Sequence, residues 1–471
     1  MKAMTLREIA AACGGHYYGD ESKLHLEVTG VAIDSRKIEE GYLFVPIKGA
    51  RVDGHTFIPQ VMEKGALCTL SEVVLENVSH PYILVDSSEQ ALKDLAEHYR
   101  KALDIKVVGI TGSVGKTSTK EMIGSVLSQK YNILKTAGNF NNEIGLPLTI
   151  FNIRDEHKVA VLEMGISDFG EMHRLAKMAR PDICVITNIG LCHLENLGDR
   201  DGILKAKTEM FDFAQPDATI ILNGDDDKLI TVKDWDGCAP LYFGLSTEMN
   251  AFAKDIHSLS LKGTACTICL GDNSSEVTIP IPGHHMVYNA LAGALVGLEL
   301  GLNAEEIKAG IETLVPVSGR NNLIETDSLL IIDDCYNANP VSTKASLDVL
   351  ATADTRKVAI LGDMFELGEN EKELHYSVGK HAAEKSIDLV ICIGELSENT
   401  AKGASYLQNL PPTASSGCFG NSTSEVRYFE TKADFLSHVD KFLKKGDTVL
   451  VKASHGMEFP EIVERLKELT L

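Results

Sequence analysis

The sequence predicts three α/β domains, with a mostly parallel sheet in the middle one. Short apolar runs of strand length alternate with amphipathic stretches of helical period, which is typical of parallel strands joined by crossover helices. The length of 471 residues also exceeds a single core, because domains usually hold roughly 100–200 residues. We expect the domains to span residues 1–103, 104–316 and 317–471.

Each region has its own pattern. The first mixes short apolar runs with turn-rich segments such as 48–55. The second contains strand-like runs at 107–110, 159–164, 183–189 and 219–223, and an apolar run at 290–298 that predicts a buried helix. The third has runs at 329–332, 358–361, 389–393 and 448–451, separated by amphipathic stretches at 371–385 and 435–444, and it predicts a Rossmann-like domain. Residues 410–424 predict a surface loop.

Composition excludes several classes of protein. The formal charge of −22 disfavours binding to nucleic acid or to an anionic membrane. No apolar stretch reaches the ~18–20 residues that cross a bilayer, and Arg7 and Glu8 interrupt any signal peptide. We therefore expect a cytoplasmic protein without membrane insertion, and a monomer. Cys266 and Cys269 lie in an apolar run without a second metal-binding pair, which favours packing thiols over zinc.

A glycine-rich turn stands between a predicted strand and a helix predicted at residues 118–128. Such turns point backbone N–H groups at an anion, a following lysine reaches phosphates, and a hydroxyl can bind magnesium. The spacing is shorter than the standard eight-residue motif. The order of strand, glycines, lysine, threonine and helix nevertheless predicts a phosphate loop, and ATP is favoured because no Asn-Lys-x-Asp guanine signature is present. Its residues are Gly112, Ser113, Val114, Gly115, Lys116 and Thr117.

Polar side chains follow two further strands of the middle region. Glu163 ends one run, and Asn188 and His193 follow another. Because ligands bind at the carboxyl edge of open α/β sheets, Glu163 and His193 are candidate magnesium ligands. Taken singly, Glu163 could instead cap the next helix and His193 could be an ordinary loop histidine. The amide-rich segment 136–147 forms either turns or a polar binding loop, and composition alone favours turns.

Together these motifs resemble the Mur ligase family of ATP-dependent amide-forming enzymes of peptidoglycan synthesis. The resemblance covers almost the whole chain, and it includes the segments 34–36, 44–49, 53–55, 111–119, 136–147, 163–165 and 188–193. It implies an N-terminal domain that binds UDP, a central P-loop ATPase domain and a C-terminal ligase domain. The implied substrate contacts are Ser35, Arg36, Lys48, Asp53, Gly54, His55, Asn139, Asn141, Asn142, Tyr336, Asn337 and Asn339.

The resemblance also implies the chemistry of the centre. Lys207 matches the position of a carbamylated lysine, although a surface lysine is the plain alternative and Lys205 is a nearby competitor. One magnesium ion would lie on Thr117 and Glu163, and a second on His193 and carbamylated Lys207, with Lys116 also catalytic. The further ATP contacts would be Ser118, Asn188, Asn289, Arg320 and Asp334, of which Asn289 resembles the family's adenine-contacting asparagine.

The segments 336–340 and 361–368 resemble the branch that adds a D-alanyl-D-alanine dipeptide to a UDP-linked muramoyl tripeptide. Some positions depart from the family pattern, namely segment 452–457, Val114 and Cys192. The third peptide residue, L-lysine or meso-diaminopimelate, stays open. One competing hypothesis is another ligase of the family, which adds a single amino acid or builds polyglutamate on folate. The other is a nucleotide-dependent switch. We also expect ATP to draw the C-terminal domain inward.

Overall fold

The structure is a computed structural model that describes residues 1–76, 80–409 and 424–471, without the side chains of residues 407 and 409. It contains a sheet of five strands in the N-terminal range, a sheet of nine strands in the middle range and a sheet of six strands in the C-terminal range. The boundaries at 103 and 316 stay predictions. The loop expected at 410–424 lies outside the described residues, apart from Ser424.

The N-terminal domain is a small α/β unit. In its main sheet the order is β2-β7-β6-β5-β4, and all pairs are parallel except β2 with β7. The third helix buries Leu92, Leu95 and Tyr99. The elements are β1 Met4–Thr5, α1 Leu6–Ala12, β2 His16–Tyr18, β3 Glu27–Val28, β4 Gly30–Ala32, β5 Tyr42–Phe44, α2 Ile58–Glu63, β6 Cys68–Ser71, β7 Tyr82–Leu84 and α3 Ser88–Lys101.

The middle domain contains the nine-stranded sheet, in the order β16-β15-β14-β13-β12-β11-β8-β10-β9. The six strands from β8 to β13 pair in parallel, and an antiparallel meander of β14, β15 and β16 extends one edge. The elements are β8 Lys106–Thr111, α4 Lys116–Leu127, β9 Ile133–Lys135, α5 Gly145–Ile150, β10 Val159–Glu163, α6 Glu171–Ala179, β11 Ile183–Ile186, α7 Leu194–Leu197, α8 Arg200–Thr208, β12 Thr219–Asn223, β13 Leu241–Gly244, β14 Ala251–Ser258, β15 Thr264–Leu270, β16 Asn273–Ile279, α9 His285–Glu299 and α10 Ala304–Glu312.

The C-terminal sheet has the order β17-β18-β22-β19-β20-β21, and only β17 runs antiparallel to its neighbour. The elements are β17 Asn322–Glu325, β18 Leu330–Asp333, α11 Pro340–Ala351, β19 Lys357–Gly362, α12 Glu371–Glu384, β20 Leu389–Ile393, α13 Ser397–Ala404, β21 Glu425–Phe429, α14 Lys432–Leu436, β22 Thr448–Lys452 and α15 Pro460–Lys467.

Apolar packing joins the first two domains more closely than it joins the third. One buried cluster runs from Leu6 and Leu92 in the N-terminal domain to Leu162 and Met172 in the middle domain. The two C-terminal clusters surround their own sheet, and the middle-domain residue packed against them among the described residues is Leu261. The C-terminal domain therefore meets the others mainly through polar groups.

Three predicted elements differ from the structure. β11 ends at Ile186 rather than at residue 189, and α4 begins at Lys116, two residues before the expected start at 118. The stretch 435–444 is not one helix, because α14 ends at Leu436 and only a short turn of helix, Val439–Lys441, follows. Cys266 and Cys269 are buried in β15, as packing thiols would be. Among the described residues, no helix is long and apolar enough to span a bilayer.

Candidate active site

A deep cleft of about 980 Å³ lies between the middle and C-terminal domains. Because β8, β10 and β11 are parallel neighbours, their carboxyl ends meet at one edge of the sheet, and the cleft opens there. The opposite wall comes from the segments just before β17 and α11. Among the predicted site residues, those that line the cleft are Ser113, Val114, Gly115, Lys116, Thr117, Ser118, Asn141, Asn142, Glu163, Asn188, His193, Asn289, Arg320, Asp334, Tyr336, Asn337 and Asn339.

The glycine-rich loop has the backbone of an anion-binding turn. Gly112 and Gly115 have φ angles of 152° and 82°, which favour glycine. A Cβ on Gly112 would lie 1.9 Å from Oγ1 of Thr187, so a larger residue does not fit. Lys116 opens α4, so the first N–H groups of this helix and its dipole face the cleft. The ammonium of Lys116 donates to the carbonyl oxygen of Gly112 at 2.9 Å.

Asn188 holds the loop in place. The N–H of Val114 donates to its Oδ1 at 3.0 Å, and its Nδ2 donates back to the carbonyl oxygen of Val114 at 2.9 Å. Both ends of the amide are therefore engaged by the loop itself. The sequence predicted a nucleotide contact, whereas the geometry gives Asn188 a positioning role.

Glu163 offers a buried carboxylate at the end of β10. Its Oε1 accepts hydrogen bonds from Nδ2 of Asn141 at 2.9 Å and from Oγ1 of Thr117 at 3.3 Å. Its Oε2 has no hydrogen-bond donor among the described residues, and the nearest cation, Nζ of Lys120, lies 3.8 Å away. Because a buried carboxylate oxygen without a donor is costly, it suits a cation, and the Thr117 hydroxyl stands beside it.

His193 lies beyond β11 with a φ of 50°, a left-handed conformation that is rare outside glycine. Its Nδ1 is 3.0 Å from Oε2 of Glu366, which belongs to the C-terminal domain and also has a positive φ, 62°. Burial lowers the pKa of His193 although Glu366 opposes this, and the charges of Lys116 and Lys207 lower it further. His193 therefore lies at the boundary between two domains, next to the Glu366 carboxylate and within the field of two lysines.

The two candidate lysines of α8 have different surroundings. Lys205 is exposed, with its ammonium 5.8 Å from the centroid of the Phe169 ring. Lys207 is only 1% exposed, and no hydrogen-bond acceptor for its ammonium is found among the described residues. Burial first, and then the charge of Lys116, lowers the pKa of Lys207 to about 7. The buried lysine is therefore the reactive candidate.

The C-terminal wall brings cationic and aromatic groups to the phosphate loop. The guanidinium of Arg320 lies 4.0 Å from the centroid of the Tyr336 ring, and its Nη2 is 3.5 Å from Oγ1 of Thr117. Oδ2 of Asp334 accepts from Nζ of Lys452 and Oγ of Ser346, both at 2.5 Å. Asp334 is thus already neutralised by a buried lysine.

The predicted asparagines have several structural roles. The Oδ1 atom of Asn142 accepts from the N–H groups at the start of α5, and Asn339 caps α11 by accepting from the N–H of Ser342 at 2.8 Å. Oδ1 of Asn337 accepts from the N–H of His455 at 3.3 Å. Asn139 does not line the cleft, but its side chain lies near Tyr336 of the C-terminal domain and opposes the burial that raises the pKa of this tyrosine.

The predicted contacts of the N-terminal domain do not reach this cleft. Asp53 accepts from Nδ1 of His55 at 2.7 Å, and Nε2 of His55 accepts from the N–H of Glu72 at 3.2 Å, so this histidine holds a turn. The Arg36 guanidinium is exposed and pairs with Asp34 at 2.8 Å. None of Ser35, Arg36, Lys48, Asp53, Gly54 and His55 lines the cleft. Their binding role stays a prediction.

Several residues of the site were not predicted. Lys120 follows Lys116 by one helical turn, and this spacing is the signal that could have indicated it. No pattern in the sequence indicates the other residues, because strand order and domain placement bring them to the site. The residues in question are Lys120, Arg200, Asn321, Glu366 and Lys452. Among the described residues, no three His, Cys, Asp or Glu side chains form a metal centre by themselves.

The fold and the cleft define a class: an α/β enzyme with a phosphate loop that faces a second domain across its substrate cleft. Three family models match the chain: "Mur ligase family, catalytic domain" at residues 27–100, "Mur ligase middle domain" at 110–297, and "Mur ligase, glutamate ligase domain" at 319–455. The chain belongs to the Mur ligase family.

Similar proteins cover nearly the whole chain. UDP-N-acetylmuramoyl-tripeptide–D-alanyl-D-alanine ligase of Bacillus subtilis is 39% identical over 449 residues, 94% of either chain. The enzyme of the same name from Escherichia coli is 32% identical over 99% of both chains. A crystal structure of MurF from Acinetobacter baumannii is 30% identical and has a TM-score of 0.89 over both full chains. MurF ligase from Thermotoga maritima in complex with ADP is 29% identical, with a TM-score of 0.80 over 93% of this chain and 97% of that one.

Proposed function

We propose that the protein joins D-alanyl-D-alanine to UDP-N-acetylmuramoyl-tripeptide and converts ATP to ADP and phosphate. The terminal carboxylate of the tripeptide attacks the γ-phosphorus and forms an acyl phosphate, with ADP leaving. The neutral amine of the dipeptide then attacks the acyl carbon and phosphate leaves. The observation that carries the proposal is the meeting of the phosphate loop, Glu163, and Arg320 from the other domain in one cleft.

The protein residues align anions and offset their charge. A carboxylate and a triphosphate repel each other, so positioning and positive charge supply most of the catalysis. Lys116 and the start of α4 are placed for the phosphates, and Arg320 reaches the same hydroxyl of Thr117 from the C-terminal side. Closure of the cleft would exclude water and protect the acyl phosphate from hydrolysis.

We propose that Thr117 and Glu163 hold one magnesium ion and that His193 and Lys207 hold a second. The donorless oxygen of Glu163 fits a hard cation. When bound, Mg²⁺ offsets the negative charge of the triphosphate and of the attacking carboxylate.

We propose further that Lys207 is carbamylated. A carbamate forms on a neutral amine, and a pKa of about 7 leaves much of the Lys207 amine neutral at physiological pH. Its burial without an acceptor disfavours the ammonium form, whereas a carbamate supplies oxygen ligands. The modification would convert a repulsive cation into a ligand.

The decisive assay measures phosphate release with ATP and Mg²⁺. The UDP-muramoyl peptide is supplied with L-lysine or with meso-diaminopimelate at its third position, and the acceptor is D-Ala-D-Ala or a single amino acid. We expect release that requires both the UDP-peptide and the dipeptide. Release with a single amino acid or a folate acceptor would favour another ligase of the family, and release with ATP alone would favour a nucleotide-dependent switch.

The carbamate has its own test. Lys207→Ala should abolish the activity and short-chain carboxylates should restore part of it, because they supply the missing oxygens. Lys205→Ala is the matched control on the same helix and should keep the wild-type rate. A Lys207→Ala enzyme with wild-type activity would remove the role of this lysine.

We also propose a cytoplasmic monomer, since both substrates of the proposed reaction are small polar molecules. Gel filtration with light scattering should give a mass near the 51.1 kDa of one chain. A mass of twice that value would contradict the monomer.

A further inference from the structure

Asn321 has a buried amide that the proposed reaction does not use. It follows Arg320, lines the cleft, and is 8% exposed. Its φ of 48° is left-handed, a conformation that asparagine tolerates better than most residues. Its N–H donates to Oδ1 of Asp334 at 3.2 Å, which fixes the backbone against the C-terminal domain.

The amide nitrogen of Asn321 faces a histidine. Nδ2 of Asn321 lies 3.3 Å from Nε2 of His285, the first residue of α9. An amide nitrogen only donates, so this imidazole nitrogen accepts and His285 is neutral. Burial lowers the pKa of His285, in agreement with a neutral ring.

The opposite end of this amide is without a protein partner. Oδ1 of Asn321 is buried, and no donor among the described residues reaches it. Leaving a buried carbonyl oxygen without a donor is costly, so a ligand in the cleft is the natural source of one.

The chemistry of the missing partner is restricted. An amide oxygen only accepts, and the oxygens of a fully ionised triphosphate carry no hydrogen to donate. The donors of ATP are the 6-amino group of adenine and the two ribose hydroxyls, all in the nucleoside. His285 also lies one helical turn before Asn289, the residue that the sequence predicted to contact adenine, so Asn321 faces the same end of the cleft.

We propose that Oδ1 of Asn321 accepts a hydrogen bond from the nucleoside of bound ATP and thereby contributes to nucleotide specificity. The inference rests on the proposed use of ATP. It adds a specificity residue from the C-terminal domain that reads the base or the sugar, whereas the phosphate loop reads the phosphates.

The test combines variants with nucleotide analogues. Asn321→Gly removes the amide and keeps a residue that adopts the left-handed backbone. Asn321→Asp keeps acceptor oxygens at the same place. The control is Ser386→Gly, which changes an exposed residue of the same domain with a left-handed backbone to glycine. KM and kcat are measured for ATP, purine riboside triphosphate, 2′-deoxy-ATP and 3′-deoxy-ATP.

We expect Asn321→Gly to raise the KM for ATP about three- to tenfold, with kcat within about twofold of the wild type. With the wild type, the KM for one of the analogues should exceed the KM for ATP by a similar factor. With Asn321→Gly, the KM values for this analogue and for ATP should be equal. The group that this analogue lacks, the amino group or one of the hydroxyls, is then the donor. Asn321→Asp should keep the preference for ATP over that analogue, and Ser386→Gly should match the wild type.

An unchanged KM for ATP in Asn321→Gly would overturn the proposal. It would also be overturned if Asn321→Gly raised the KM for each of the three analogues by the same factor as the KM for ATP, because the effects of the variant and of the analogue would then be independent. If the glycine variant does not fold, a loss of the ATP preference in Asn321→Asp would also overturn it. Absence of ATP-dependent phosphate release in the wild type would instead count against the proposed function. Titration calorimetry of ATP and the analogues would then still measure the contribution of Asn321.

Discussion

Lys120 is a buried cation whose partners define its energetic role. Its Nζ donates to the carbonyl oxygen of Thr136 at 2.8 Å and pairs with Glu121 at 3.1 Å, while Glu163 lies 3.8 Å away. We expect Lys120→Met to lower the free energy of unfolding by about 3 kcal/mol, because it leaves the buried Glu163 without a nearby cation and the Thr136 carbonyl oxygen without its donor, although Glu121 keeps Lys135. Urea denaturation measures the change.

Lys135 offers the comparison, since it pairs with the same Glu121 but its side chain is 41% exposed. Lys135→Met should cost less than about 1 kcal/mol, because exposed ion pairs contribute little. Equal losses in the Lys120 and Lys135 variants would show that burial does not set the difference.

Single residues show where sequence reasoning succeeds and where it ends. Gly112 and Lys116 were predicted because a phosphate loop is local in sequence, so its order of residues is also its geometry. Lys205 and Lys207 could not be separated by spacing alone. The two lysines are two positions apart on a helix, so their side chains point about 200° apart around its axis and one of them faces inward. Only the packing of α8 shows that this one is Lys207.

The start of α11 is an element whose cap coincides with a predicted substrate contact. Asn339 accepts from the N–H of Ser342, and Pro340 follows at the first helical position. We expect Asn339→Ala to cost about 1 kcal/mol and Asn339→Asp to cost almost nothing, because aspartate caps equally well. Thermal unfolding gives the stabilities.

The phosphate-release assay on the Asn339 variants separates the cap from substrate binding. An Asn339→Asp enzyme with wild-type KM values would limit the residue to the cap. A raised KM for either substrate at unchanged stability would support the predicted contact.

α12 should make stability depend on pH through His375. This side chain is fully buried, donates from Nδ1 to the carbonyl oxygen of Glu371 and accepts at Nε2 from the N–H of Met364. Burial lowers its pKa from the ordinary 6.5, although Asp363 and Glu371 oppose the shift. The unfolded chain then takes up the proton first as the pH falls, so stability is present above pH 6.5 and declines below it.

His375→Gln should flatten this decline by at most about 1.4 kcal/mol per pH unit. Urea unfolding between pH 7 and pH 5 tests it, with the exposed His257→Gln as the control. A slope in His375→Gln equal to that of the wild type would contradict the assignment.

Element boundaries depend on contacts that periodicity does not contain. The apolar run 183–189 predicted a longer strand, but β11 ends at Ile186 because Asn188 turns its amide to the phosphate loop instead of continuing the sheet. The run 448–451 kept its predicted place, since β22 lies at the centre of its sheet, buried on both faces.

At the scale of the whole molecule, alternating runs predicted three α/β domains but not how they meet. The family resemblance implied that Arg320 and Asp334 of the C-terminal domain contact the same ATP as the phosphate loop, but it did not give their protein partners. Only the structure brings Arg320 to Thr117 and Glu366 to His193. Contacts of this kind join residues far apart in sequence and follow no local period, so no pattern along the chain predicts them.

The division of apolar packing predicts which domain moves. The N-terminal and middle domains share a buried cluster, and Arg100 of α3 adds a bond to the carbonyl oxygen of Ala179 at 2.9 Å. The C-terminal domain is held across the cleft by polar contacts, including His193 with Glu366 at 3.0 Å. Because these contacts are polar while the first two domains share an apolar core, the C-terminal domain should be the one that moves when ligands fill the cleft.

Small-angle X-ray scattering tests this movement in the intact chain. The radius of gyration should decrease when a non-hydrolysable ATP analogue, Mg²⁺ and the UDP-tripeptide are added together, because these ligands would contact both walls of the cleft. Hydrogen exchange should leave the protection of α3 unchanged in all conditions. Scattering that stays constant throughout would mean that the two walls are fixed and that substrates enter a cleft which does not close.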